Sequence, residues 1–280
     1  MYRVTSSCAT CLYDKQQHRC SDEAYLAEIK SIIDSRDEND TSPYLVYRFN
    51  QVHEKMFGPG DDYCEVKKQY NDLVLGLEDE IRKSIEASSE PLLEAMLLAR
   101  TGNYIDFGAM ASVDSYTFLK LLAKNEASDN DKKIYESFVA KCKEAKNFLL
   151  ICDNCGEIVI DKLFVEYLKE KFPKLSVTVM VRGDNVLNDA TLSDAIYVGM
   201  DSLATIITNG KPIGGTVYEL LPIEAKHAFD EADVILVKGQ GNYESLSGQG
   251  FHVFYAFLCK CQLFTNRFDV PKLTGIFVEE

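Results

Sequence analysis

Phe148-Leu149-Leu150-Ile151-Cys152-Asp153-Asn154-Cys155-Gly156-Glu157 is an apolar run that stops at an acid and an amide, with a helical pattern directly behind. In open α/β sheets, ligands bind at the carboxyl ends of strands. An Asp-Asn pair in that place offers hard oxygen donors of the kind Mg²⁺ or Mn²⁺ prefers. Two further islands repeat the arrangement behind their own apolar runs: Val181-Arg182-Gly183-Asp184-Asn185-Val186-Leu187-Asn188-Asp189 and Val237-Lys238-Gly239-Gln240-Gly241-Asn242-Tyr243-Glu244. Asp and Asn are also favoured helix caps, so each island alone reads as a cap. Three of them behind three strands read as one shared metal-and-phosphate site, with Asp153, Asn154 and Asp189 as oxygen ligands. Glycines 239 and 241 let backbone approach an anion closely, and Lys238 adds a point charge for phosphate.

Outward from this stretch, the texture divides. Residues 147–280 alternate strands (148–152, 177–181, 204–208, 234–237, 252–258) with helices (158–172, 216–229). That order predicts a three-layer α/β/α fold around a mostly parallel sheet. Residues 1–146 read as a helical subdomain packed on that core. Helices are expected over 22–34, from Ser42-Pro43 with Ser42 as cap, over 61–87 as one long element, from Ser89-Glu90-Pro91 to near Thr101-Gly102, and over 132–146 after a loop at 125–131.

Composition narrows the function. Thirty Lys and Arg against 44 Asp and Glu give a net charge of -14. This argues against nucleic acid or an anionic membrane as partner, since both reward clustered positive charge. A small anionic substrate remains compatible, because a bound cation inverts the local field. Nine cysteines without a leader pattern at Met1-Tyr2-Arg3-Val4 point to the reducing cytoplasm. No apolar run approaches the roughly 20 residues of a membrane span. Cys8-x-x-Cys11, with Cys20 nearby, is a candidate structural metal site or thiol pair. Zinc-hydrolase, GxSxG and P-loop signatures are absent, and no sequence feature fixes the oligomeric state.

Taken in order, the motifs resemble those of the metal-dependent damage-control phosphatases, a family once catalogued as domain of unknown function 89. The likeness is greatest to its shorter prokaryotic branch with an N-terminal CxxC. It rests on Cys8-x-x-Cys11, Asp62-Tyr63 with Lys67 and Asn71, Gly102-Asn103 through Asp106-Phe107, Asp153-Asn154-Cys155-Gly156-Glu157, Asn188-Asp189-Ala190-Thr191, Gly215-Thr216, Ala232-Asp233 and Lys238 to Glu244. Asp61-Asp62-Tyr63 lacks the family's proline before the tyrosine. The resemblance implies a divalent ion (Mg, Mn, Co or Ni) on Asp153, Asn154 and Asp189, and Lys238 on the substrate phosphate. Glu157 would serve as ligand or support. Asn103, Asp106, Arg182, Gly239, Gly241 and Asn242 would line the substrate side. The implied substrates are small phosphorylated metabolites: sugar phosphates or damaged or surplus cofactor intermediates. Two rival readings are a cysteine-centred metal or redox sensor and an S-adenosylmethionine-dependent carboxyl methyltransferase. The latter wants a glycine-rich loop where Asp153-Asn154 stands.

Overall fold

The computed structural model describes residues 3–105, 120, 122 and 126–280. Helices α1 (Ser6–Arg19), α2 (Glu23–Asp34) and α3 (Ser42–Phe57) bury Leu12, Tyr25, Ile29, Ile33, Leu45 and Phe49 among themselves. Side-chain oxygens cap all three: Thr5 accepts from Cys8 N–H, Asp22 from Tyr25, and Thr41 from Tyr44. The cap of α3 is therefore Thr41, with Ser42 and Pro43 in its first turn. The expected 61–87 helix is two, α4 (Cys64–Leu75) and α5 (Glu78–Ala87), separated at Gly76-Leu77. Glycine loses most entropy on ordering, so the pattern breaks there. Helix α6 (Pro91–Gly102) is buried almost all round, as befits an element sandwiched between layers. Helix α7 (Asp129–Glu144) starts inside the expected loop, because Ser128 and Asp131 form a capping box.

Six strands follow: β1 (Asn147–Ile151), β2 (Ser176–Val181), β3 (Thr205–Thr208), β4 (Val234–Lys238), β5 (Phe254–Leu258) and β6 (Gly275–Glu279). Their order is β3-β2-β1-β4-β5-β6, parallel except for β6, which runs antiparallel to β5. The fold is thus mixed α/β with a mostly parallel sheet and an N-terminal helical region, as the sequence predicts. Strand β6 was not anticipated. The expected 216–229 helix is a 3-10 turn at Tyr218–Leu220 and then α10 (Ile223–Asp230). Pro222 separates them, since proline lacks the N–H an uninterrupted helix needs. Completing the layers are α8 (Glu157–Lys171), α9 (Leu192–Tyr197), α11 (Gln240–Leu246) and α12 (Gln262–Phe268).

Alternate residues of each strand face opposite layers. Phe148, Leu150, Cys152, Val234 and Leu236 join the core beneath α6 and α8. Leu149, Ile151, Ile235 and Val237 face the other layer, with Phe229, Tyr243 and Phe264. The strand order reverses between the parallel neighbours β1 and β4, so the connections at their carboxyl ends leave in opposite directions and open a crevice there. Among the described residues, no helix is long and apolar enough to cross a membrane.

Candidate functional site

After β1 the chain turns through Asp153 and Asn154 into α8, with Gly156 at φ +78°. The loop after β2 is pinned against this turn by Ala190 N–H to Asp153 O (2.7 Å), Cys155 N–H to Asn188 O (2.8 Å) and Arg182 N–H to Ala190 O (2.9 Å). An isolated antiparallel bridge pairs Asn154 with Asp189. The expected oxygen donors, from two loops remote in sequence, therefore converge.

Between the acids stands Arg182, 1% exposed. Its Nε donates to Asp189 Oδ2 at 2.6 Å, Nη2 to Asp153 Oδ1 at 2.9 Å, and Nη1 to Asn242 Oδ1 at 3.0 Å and Gly215 O at 3.3 Å. Burial opposes its charge, but Asp189 and Asp153 outweigh burial and raise its pKa. Asn242 joins the ends of β1 and β4 by donating to Lys238 O (2.7 Å) and Cys152 O (3.3 Å). Both residues, expected on the substrate, bind protein groups here and tie strand ends together.

A second system lies beneath. Asn103, at the end of α6, donates to Asp153 Oδ2 and Glu157 Oε2, each at 2.9 Å. Asn154 donates its amide to the same two atoms at 2.7 and 3.0 Å, which leaves its carbonyl oxygen as the atom to offer a cation. Lys238 is fully buried, and its Nζ donates to Asp161 Oδ1 (2.7 Å), Glu157 Oε1 (2.8 Å) and Ala99 O (2.9 Å). An ammonium has three donors, and all three are taken by protein groups here, so Lys238, expected on the substrate phosphate, stands in this structure as a buried counter-ion. Strand alternation explains the difference: Lys238 continues the Val234–Leu236 face toward α6 and α8. Burial lowers its pKa, but Asp161 and Glu157 prevail and raise it.

Gly239 has φ +84° and ψ 147°, and a Cβ there would lie 2.1 Å from Asp153 Oδ2. At Gly241 a Cβ would lie 2.2 Å from Gly214 O. Both glycines are needed for close approach. Asp106 lies outside the described residues. Cys8 and Cys11 sit on α1 as free thiols, half-buried and exposed. Among the described residues, no three His, Cys, Asp or Glu side chains group to hold a metal, there or elsewhere.

The proposed ligand set has only two carboxylates and an amide oxygen, which suits an ion that keeps several waters. Charge agrees. Asp153, Asp189, Glu157 and Asp161 carry four negative charges, and Arg182 and Lys238 carry two positive ones. Within this set the excess equals the charge of one divalent ion, so the residues fit one. Concavity alone points elsewhere: a groove of about 570 Å³, lined by Asn147, Phe148, Thr205 and His227, lies at the amino ends of the strands.

Two residues escaped the sequence reading. Asp161 follows Glu157 by four on α8, the spacing that stacks side chains on one helix face; two acids on an otherwise apolar face were the available signal. Lys260, 2% exposed just beyond β5, donates its backbone N–H to Gln240 Oε1 at 3.1 Å. No motif flagged it.

Residues 3–274 match the damage-control phosphatase ARMT1-like domain family. An uncharacterised protein of Methanocaldococcus jannaschii is 35% identical over 197 residues, 69% of this chain and 64% of that protein, under two thirds of its length. A damage-control phosphatase of Archaeoglobus fulgidus is 29% identical over 251 residues, 87% of this chain and 83% of the relative. A crystal structure of a DUF89 family protein from Pyrococcus horikoshii superposes with a TM-score of 0.81 at 26% identity, over 99% of this chain and 98% of that one.

Proposed function

This chain belongs to the damage-control phosphatase ARMT1-like family, and we propose that it hydrolyses phosphomonoesters of small metabolites with a divalent ion held by Asp153, Asn154 and Asp189. The observation that carries the reading is the charge of the buried set at the carboxyl ends of β1, β2 and β4: two negative charges in excess, with hard oxygens at its mouth. Sugar phosphates and damaged or surplus cofactor intermediates are the substrate class, and Mg²⁺, Mn²⁺, Co²⁺ or Ni²⁺ the candidate ions. Held by Asp153, Asn154 and Asp189, such an ion would supply Lewis-acid stabilisation of charge on the phosphoryl group.

The chain's own groups supply geometry. Asn103 and Asn154 fix the Asp153 carboxylate from one side and Arg182 from the other. Arg182 also holds Asp189 close to Asp153 against their mutual repulsion. Glu157 orients both amides, and Lys238 orients Glu157. Asp153 can act as a ligand alone, or as a nucleophile on phosphorus. In the latter case the alcohol leaves with a proton, and water then releases phosphate and restores the carboxylate.

The test is phosphate release from a panel of sugar and cofactor phosphates, using chelator-stripped protein with each ion added back. Metal-dependent turnover that Asp153→Asn lowers at least ~10³-fold is expected. Folded protein without turnover under any ion would overturn the reading in favour of a cysteine-centred sensor. Trapping a phosphorylated enzyme selects the nucleophilic route.

A further inference from the structure

Asp161 is unexplained by the roles given so far. It lies one turn beyond Glu157 on α8, and both carboxylates are completely buried. Lys238 sits between them, 2.7 Å from one and 2.8 Å from the other. Among the described residues, Asp161 Oδ2 has no hydrogen-bond partner. Its close neighbour is the Cys152 thiol, which burial and the Asp161 charge push well above its usual pKa. A single carboxylate balances an ammonium, and an asparagine oxygen at position 161 would give Lys238 the same acceptor. Hydrogen bonding therefore does not require the second charge. Nor does stability. Burial raises Asp161 to about 6 despite its lysine partner, and Glu157 still pairs with Lys238 when Asp161 is uncharged.

We propose that Asp161 is a positioning residue for the metal site: by sharing Lys238, it keeps Glu157 from being neutralised. Glu157 then holds the amides of Asn103 and Asn154 in their cation-binding orientation, and the site keeps its excess negative charge. The proposal rests on the metal-dependent reading above and extends it to a residue that touches neither ion nor substrate.

The experiment is Mn²⁺ titration of chelator-stripped wild type, Asp161→Asn and Asp153→Asn by calorimetry, with urea unfolding of each metal-free protein at pH 7.5. Loss of one buried charge near a divalent ion weakens binding by about tenfold or more at intermediate effective dielectric. The expected result is that loss in Asp161→Asn, with an unfolding midpoint equal to or above wild type. Unchanged Mn²⁺ affinity overturns the proposal, and so does a lowered midpoint or failure to fold, since either makes Asp161 a structural residue. Wild type that takes up no Mn²⁺, or Asp153→Asn that binds it as tightly, would bring down the metal reading itself and this proposal with it.

Discussion

Replacing Lys238 with methionine separates a buried counter-ion from a phosphate-holding side chain. Methionine nearly fills the lysine volume but removes the charge and all three donated bonds, to Asp161, Glu157 and Ala99 O. Breaking a buried ion pair by deleting one partner costs about 3–5 kcal/mol. With an unfolding entropy of about 2.1 cal/mol/K per residue, that corresponds to a fall in Tm of roughly 5–8 °C for this chain. The loss also carries a pH signature. Without the ammonium, the buried Asp161 carboxyl binds its proton still more tightly folded than unfolded, so the mutant is most stable at low pH and loses stability as pH rises through that raised folded value. In wild type the corresponding loss is complete once pH passes the Asp161 value of about 6. Urea unfolding of both proteins at pH 6.5 and 8.5 should therefore show a gap that widens at the higher pH. A variant that unfolds like wild type at both pH values, yet no longer turns over substrate, would refute the counter-ion assignment and return Lys238 to the phosphate.

Two further substitutions probe the upper layer. Gly239→Ala places a methyl on Asp153 in a backbone region open essentially to glycine alone; a stability loss of about 1–3 kcal/mol is expected, with Mn²⁺ affinity in calorimetry falling at least ~10-fold. An unperturbed titration would show that Asp153 tolerates displacement. Arg182→Gln leaves Asp153 and Asp189 facing each other in burial, at a cost of about 3–5 kcal/mol to the metal-free protein. Saturating Mn²⁺ should restore much of this, so the Mn²⁺-induced rise in Tm should exceed that of wild type; an equal rise would mean that Arg182 and the ion do not share the acids.

The sequence announced the parallel core through the strand-end islands at Asp153-Asn154, Asn188-Asp189 and Lys238-Gly239, and these three ends do meet. Boundaries failed where one residue overrode a pattern. Gly76 divides α4 from α5, Pro222 postpones α10, and the Ser128 capping box starts α7 early. Side-chain roles were harder to read than positions. Arg182 and Asn242 lie where expected, but a polar residue at a strand end can point to substrate or bind its neighbours, and only three-dimensional proximity decides. For Lys238 the information was present: counting alternate residues from Val234 aims its side chain into the α6–α8 layer. Asp161 was lost inside a helix whose neighbours Ile158, Val159, Ile160, Leu163 and Phe164 are all core.

The arrangement of charge bears on how an acidic protein handles a phosphate ester. At a net charge of -14 the surface repels such a substrate. Neither Arg182 nor Lys238 relieves this at the site, because each is outnumbered two to one by carboxylates it touches. Without an ion this set of side chains is therefore negative at close range as well, which favours a divalent cation over an anion. A divalent ion on the proposed ligands Asp153, Asn154 and Asp189 would neutralise this six-side-chain set and would place positive charge at the acids' mouth. On the proposed reading, affinity for phosphate would depend on the ion, which would order the events: metal first, substrate second. The buried pairs make that order possible, since Arg182 keeps Asp153 and Asp189 together while no metal is bound, and Lys238 keeps Glu157 on the amides that aim Asn154.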